Sequence, residues 1–318
     1  MRGLLLVLMF PFSLLSQTSF ELAQNYYLQG NIAKATPLFL LHLNQYPNDL
    51  VTLEYLGDIA GDAKEWDTAM IYYKSLVDLD PTNANYHFKY GGVLGMKALS
   101  VNKFSAALYI SDVKMHFKKA ATLDSTHTKV RAALVELYMQ LPAIIGGSED
   151  TALFYANELT ELSLEKGYIA KGYIASYTGD VLAAEQFYKN AVAQQGSLDS
   201  FSKLIDFYKN TSQVQKAIQM LKQNLTLDDH QNELNYLIGE LAASYNLEPQ
   251  LAITHLKTYL QYYSSEDNTP IWWPYLRLAQ VYRSMGAKTK ALFWIDKALA
   301  IAPGFKQAAK EKILIQQL

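Results

Sequence analysis

A 34-residue recurrence constrains this chain more than any other feature. Pro47 and Pro81 stand 34 residues apart, and so do Ala35 and Ala69. The unit is clearest from Leu53 to Pro81. Leu53, Leu56-Gly57 and Ala60 lie at helical spacing, followed by a polar joint of Asp62, Ala63, Lys64 and Glu65. Trp66, Ala69 and Tyr73 come next, and Leu79-Asp80-Pro81 closes the unit. Apolar and small residues spaced in this way make one face of a helix. Two such segments divided by a short polar joint make a helical hairpin. Neither helix can bury its stripe alone, so repeated hairpins must stack on one another. The implied fold class is all-α, an α-solenoid.

Read in order, the chain carries about eight such hairpins. The first has a helix from Phe20 to Gln29, a stop at Gly30-Asn31, and a second helix with Ala35 and Phe39 inward. The third opens at Tyr86–Leu94, but its closing position falls at Ser125, 44 residues after Pro81. The surplus lies near residues 95–111, as a lengthened joint or as longer helices. The fourth runs from Val130 to Met139 and breaks at Pro142. Its widened joint, near residues 142–148, leads to a helix over Thr151–Leu164 with Ser148 as N-cap. Glu149 and Asp150 suit the positive end of that helix. The fifth has Gly172, Gly179-Asp180 and Ala184-x3-Tyr188. The sixth has Phe201–Tyr208 and Ala217-x3-Leu221, ending at Leu227-Asp228-Asp229. The seventh has Leu237-Ile238-Gly239 and Ala252-x3-Leu256, and the eighth has Leu278-Ala279, Gly286 and Ala291-x3-Ile295. Phe305–Leu318 reads as a capping helix with Lys306, Lys310 and Lys312 outward. Leu-Gly early, Ala-x3-aromatic later and a closing proline at this period resemble the tetratricopeptide repeat (TPR) family, over nearly the whole chain after its first residues. That resemblance implies a right-handed solenoid of TPR-like hairpins, a single superhelical domain over 17–318. It also suggests an exported bacterial member of the family, whose widened fourth joint is similar to this one.

The chain has 318 residues, half of them apolar, and a formal net charge of -2 from 28 basic and 30 acidic side chains. No basic field draws it to nucleic acid or anionic lipid. Met1-Arg2, the apolar run Gly3–Leu15 and the small polar residues Ser16 to Ser19 read as a signal peptide over 1–16, cleaved near Ser16-Gln17. The run is shorter than the roughly 20 residues that span a bilayer. The expected location is periplasmic or secreted. Cysteine is absent, which excludes lipoprotein anchoring, disulfides and thiolate chemistry.

No catalytic or metal pattern stands out. The six histidines are scattered without metal spacing. Asp228-Asp229-His230 is the densest ligand-like cluster and reads as a solvated turn between units. Ser-x-x-Lys occurs at Ser100, Ser163 and Ser200 without the companion motifs that would give it meaning. Gly146-Gly147 reads as helix punctuation rather than an anion cradle. Asn210-Thr211-Ser212 and Asn224-Leu225-Thr226 are sequons that matter only in a eukaryote. No cofactor and no enzyme activity are expected.

The 23 tyrosines carry more information. Tyr73, Tyr90, Tyr188, Tyr259 and Tyr282 fall at packing positions. Tyr27, Tyr173, Tyr177 and Tyr245 lie off the packing stripe, on first helices. The family resemblance implies that this face lines a concave groove for extended peptides or partner helices. By position the groove includes Gln24, Tyr27, Glu54 and Asp58. Lys129, Glu136, Tyr173 and Tyr177 follow, then Asp206, Lys209, Tyr245, Gln280 and Arg283. Tyrosine and arginine suit a binding surface. Relatives that clamp a C-terminal carboxylate use Lys and Asn one turn apart on the first helix. Phe20/Gln24 and Glu54/Asp58 stand there instead, and the acidic pair repels a carboxylate. The expected function is a non-catalytic scaffold of the cell envelope that binds a protein or peptide. The alternative is an envelope glycan- or polymer-binding module with tyrosines stacked on sugars.

Overall fold

The structure, a computed structural model, describes residues 18–225 and 232–318. The signal-peptide reading of 1–16, Asp228-Asp229-His230 and Thr226 of the second sequon lie outside the described residues. Among those residues every regular element is a helix: seventeen α-helices and one 3-10 turn. They fall into two compact units, the first ending at Gly179 and the second spanning Asp180–Leu318.

Unit 1 contains four hairpins and one further helix. α1 (Ser19–Leu28) pairs with α2 (Ile32–Gln45), and α3 (Leu50–Asp62) with α4 (Trp66–Leu79). α5 (Ala84–Ser100) pairs with α6 (Lys103–Leu123), and α7 (Thr128–Gln140) with α8 (Glu149–Leu162). α9 (Leu164–Thr178) packs on α7 and α8. Side-chain caps set the starts. Thr18 forms a capping box with Glu21, while Asp49, Asn83, Asn102 and Ser148 each accept a backbone N–H of the first turn. Ala23, Ala35, Phe39 and Leu56 make the first core cluster, and Ala69, Tyr73 and Leu76 belong to the next. Gly57 shows why the motif needs glycine. A Cβ there would lie 2.5 Å from the Tyr73 ring, so the ring occupies the space that glycine leaves.

The surplus in the third hairpin resolves into longer helices. α5 has 17 residues and α6 has 21, joined only by Val101-Asn102. The fourth joint contains the 3-10 turn over Ala143–Ile145, which ends at Gly146 with φ 87°. Lys114 of α6 donates to the carbonyls of Ile145 and Gly146 (2.6 and 3.2 Å), so this joint holds a cation rather than cradling an anion. The expected helix over Thr151–Leu164 starts earlier, at Glu149, directly after the Ser148 cap. It stops at Leu162 because Ser163 is extended and caps α9, so Leu164 belongs to the next helix.

Unit 2 begins inside the fifth expected hairpin, so α9 belongs to unit 1 and α10 (Val181–Gln195) to unit 2. α10 packs on α11 (Leu198–Asn210), which pairs with α12 (Val214–Leu225). α13 (Asn232–Ser244) pairs with α14 (Pro249–Gln261), α15 (Trp272–Ser284) with α16 (Lys288–Ile301), and α17 (Lys306–Gln316) covers α16. On α17, Lys306 and Lys310 are exposed, whereas Lys312 turns to Asp296 of α16 at 2.8 Å. Ile313 and Leu314 are exposed there too, and so is Leu318 just beyond it, so the terminal helix is less polar outside than a solvating cap requires.

Candidate functional site

In unit 1 the first-helix positions converge through one recurring offset. Gln24 donates to the Tyr55 hydroxyl (3.0 Å), Asn85 to Glu54 (3.2 Å) and Lys89 to Asp58 (2.6 and 2.8 Å), each pair 31 residues apart. Thirty-one is the repeat period less about one helical turn, which places side chains of successive first helices side by side. Lys89 also reaches Glu54 at 2.7 Å. Tyr73 of α4 donates its hydroxyl to Asp58 at 2.7 Å, and its ring lies 5.7 Å below the Lys89 ammonium. Tyr27 packs edge-on against Tyr55 at 4.9 Å. Gln24, Tyr27, Glu54 and Asp58 thus form one polar cluster with Tyr55, Tyr73, Asn85 and Lys89.

Its electrostatics follow from the sharing of charge. Burial works against the Lys89 ammonium, but bonds to Asp58 and Glu54 outweigh it, and its pKa stands above the ordinary lysine value. Burial, the bond to Asp58 and the nearby carboxylates push the Tyr73 phenol up, so it remains a donor. Burial, followed by Asp58 and Asp62, raises the pKa of Tyr27 as well. Two carboxylates, Glu54 and Asp58, share one ammonium, and the cluster keeps a negative balance.

A second group lies on α7 and α9. Gln140 donates to the Tyr173 hydroxyl at 3.1 Å, and Tyr173 and Tyr177 have ring centres 6.2 Å apart. Burial raises the pKa of Tyr173, the bond from Gln140 opposes this, and the charge of Glu136 adds to the rise. Tyr177 is 54% exposed. Lys129 is exposed at the first turn of α7, and no hydrogen bond or ion pair described for unit 1 joins it to the group.

In unit 2 the expected residues are more dispersed. Asp206 and Lys209 pair with each other at 3.1 Å on α11, near Tyr245, which stands in the turn just past the end of α13 rather than on the helix. Gln280 accepts from Arg277 at 3.1 Å, and Arg277 also pairs with Glu240. Arg283 pairs with the buried Glu311 of α17 and is committed to holding that helix.

The sequence reading missed Lys89, Asn85 and Tyr55, although adding 31 to Asp58, Glu54 and Gln24 would have found them. It treated Tyr73 as core only; the ring is buried, and its hydroxyl serves the cluster. It also missed a cavity of about 870 Å³ between α10, α11 and α12, lined by Glu185, Lys189, Phe201, Tyr208, Lys216 and Met220 among others. The three Ser-x-x-Lys serines have local roles. Ser163 caps α9, Ser200 bonds to Ser197, and Ser100 bonds to the Lys97 carbonyl. Among the described residues no group of three or more His, Cys, Asp or Glu side chains is placed to hold a metal ion. No helix among them is long and apolar enough to cross a membrane.

Residues 274–305, the eighth hairpin, match the tetratricopeptide repeat family. No curated protein matches the chain. Solved structures similar to it include a thermophilic TPR protein of Thermus thermophilus, 18% identical with a TM-score of 0.48. That match covers 60% of this chain and 97% of the other. A tetratricopeptide repeat protein of Parabacteroides merdae is 10% identical with a TM-score of 0.48, covering 94% of this chain and 97% of the other. YrrB, described as a TPR protein with an unusual peptide-binding site, is 18% identical with a TM-score of 0.39. It covers 62% of this chain and 97% of its own.

Proposed function

We propose that this protein is a non-catalytic scaffold of the cell envelope that binds a protein or peptide through the exposed face of its first helices. One observation carries the reading. Polar and aromatic side chains of α1, α3 and α5 meet in a single cluster, through bonds repeated at the same 31-residue offset. Such a surface holds donors, acceptors and ring edges rigidly in place, which lowers the ordering cost of binding. A tetratricopeptide repeat at 274–305 supports the same class of function. The envelope address rests on the apolar run at 3–15, and a mature chain beginning near Gln17 in the envelope fraction is its test.

The decisive experiment is quantitative capture from native envelope by the wild-type protein and by a Tyr173→Ala/Tyr177→Ala variant. A defined protein enriched by the first and lost from the second, at an unchanged melting temperature, supports the reading. Equal capture by both, or no specific protein at all, removes it. The exposed Tyr177 ring beside Tyr173 favours a glycan as the second reading. Titration of envelope polysaccharides followed by fluorescence of Trp272 and Trp273 addresses it, and a flat response excludes it.

A further inference from the structure

The cavity of unit 2 shares no residue with the expected first-helix groove. Its volume of about 870 Å³ lies within the range of ligand sites and far exceeds what a small ion requires. Its floor is apolar. Phe201 and Leu204 are essentially fully buried, and Val192 and Met220 nearly so. Its rim carries side-chain amides at Gln194, Gln219 and Asn224. Asn224 already donates its amide to the Met220 carbonyl at 2.9 Å, which leaves its oxygen as an acceptor.

The charge on the rim is unbalanced. Among the described residues Glu185 is the only acidic one lining the cavity, and it takes three donors: Lys189 at 2.7 Å, Lys216 at 3.2 Å and the Tyr208 hydroxyl at 3.0 Å. Burial raises the Glu185 pKa, but bonds from Lys189, Lys216 and Tyr208 outweigh it, so the carboxylate is held below its usual range. Two ammonium groups therefore share one carboxylate, and each keeps donors to spare. Both lysine side chains are 49% exposed, so a ligand can reach them.

We infer that this cavity is a second binding site and that it takes an acidic segment of polypeptide. A ligand carboxylate bridges Lys189 and Lys216, an adjacent apolar side chain covers Phe201 and Met220, and the rim amides meet the peptide backbone. A small anion would use the ammonium groups and leave the apolar floor wet. A cationic segment would meet two lysines against one neutralised acid. The site goes beyond the first-helix reading, and the two can fail separately.

The test is fluorescence anisotropy of short labelled peptides with the full chain. One peptide alternates Glu with Leu, and its isosteric counterpart replaces each Glu with Gln. The acidic peptide is expected to bind about tenfold more tightly, with an advantage that shrinks as salt rises. Lys189→Gln/Lys216→Gln should abolish that preference. Glu185→Gln releases both ammonium groups and should tighten acidic-peptide binding several-fold, a gain that misfolding cannot mimic. Tyr173→Ala/Tyr177→Ala should leave binding unchanged. Equal affinity for the two peptides, no binding of either, or an unaltered preference in the lysine variant overturns the proposal. Competition by inorganic phosphate as effective as that by unlabelled acidic peptide also overturns it, in favour of a small-anion site.

Discussion

The polar cluster of unit 1 and the cavity of unit 2 solve the same electrostatic problem in opposite ways. In the cluster one ammonium, Lys89, is shared by two carboxylates, and Tyr73 holds one of these from below. In the cavity one carboxylate, Glu185, is shared by two ammonium groups, with Tyr208 as the third donor. The first arrangement is closed: Lys89, Asp58 and Glu54 have side-chain exposures of 21–31% and bond mainly to one another. The second leaves half-exposed lysines beside open volume. A shared charge enclosed by its partners holds the surrounding surface in a fixed shape, whereas one left beside open space keeps donors to spare for a ligand.

Ways to break this contrast rank by expected effect. Gly57→Val acts on the cluster from beneath, because the new side chain must displace the Tyr73 ring that holds Asp58. It should cost about 3 kcal/mol by denaturant unfolding. Gly61→Ala, in the same helix but with only an ordinary contact at 3.7 Å from the Tyr73 hydroxyl, should be near neutral. Lys89→Met leaves Glu54 and Asp58 facing each other and should cost about 2 kcal/mol, reduced from the fully buried case by partial exposure. Lys216→Met in the cavity should cost less than about 1 kcal/mol, since Lys189 and Tyr208 still satisfy Glu185. Equal costs for the two lysines would erase the distinction between a closed network and an open one.

Acid sharpens the comparison further. His87 and His116 are both buried, with their Nδ1 atoms 2.8 Å apart, and the His87 Nε2 lies 3.1 Å from the Pro81 carbonyl. A carbonyl only accepts, so His87 carries its proton on Nε2, and a single proton is shared between the two Nδ1 atoms. Burial and then His87 lower the pKa of His116; Lys74 adds to this and Asp112 opposes it. His127 in unit 1 and His255 in unit 2 are lowered too, chiefly by burial. A lowered folded-state value means that the unfolded chain binds more protons. Stability is therefore full above about pH 6.5 and is lost as the pH falls from there to the folded-state values. Hydrogen exchange at pH 7.5 and 5.5 should show the larger loss in unit 1, and His116→Phe should reduce it.

One substitution is expected to be a gain. Gly30 and Gly286 take left-handed backbone in their hairpin joints, with φ of 72° and 71°. Lys64, 34 residues after Gly30, occupies the same conformation at φ 61° with a Cβ that the left-handed region disfavours. Lys64→Gly should stabilise the second hairpin by about 0.5–1 kcal/mol in thermal unfolding.

The hairpins were legible because burial of a helix stripe is a local, periodic demand. Ala35, Ala69, Gly57 and Tyr73 show it directly, each buried where the 34-residue spacing places it. The lengthened third hairpin was legible as surplus residues, but not as longer helices, since a joint and a helical extension add the same number of residues. The candidate site was half legible. Gln24, Tyr27, Glu54 and Asp58 could be placed on a common face from their positions, yet their partners come from the next repeat. Lys89 and Asn85 look like ordinary surface residues until the stacking distance between first helices is known. Arg283 illustrates the converse: its position suggested a groove, and its guanidinium is occupied by Glu311 of the terminal helix.

The Leu53–Pro81 pattern and its repetition determined the helices, their pairing and the burial of their small residues, because each depends on side chains one or two turns apart. The tertiary structure alone decided where charge is shared and where it is left over. It joined Lys89 to Glu54 and Asp58, set Lys189 and Lys216 around Glu185, and opened the volume beside them. The physical reason is range. Helix formation and stripe burial are specified along the chain, whereas ion sharing and cavity volume depend on how far apart successive helices stand, and no residue spacing encodes that distance on its own.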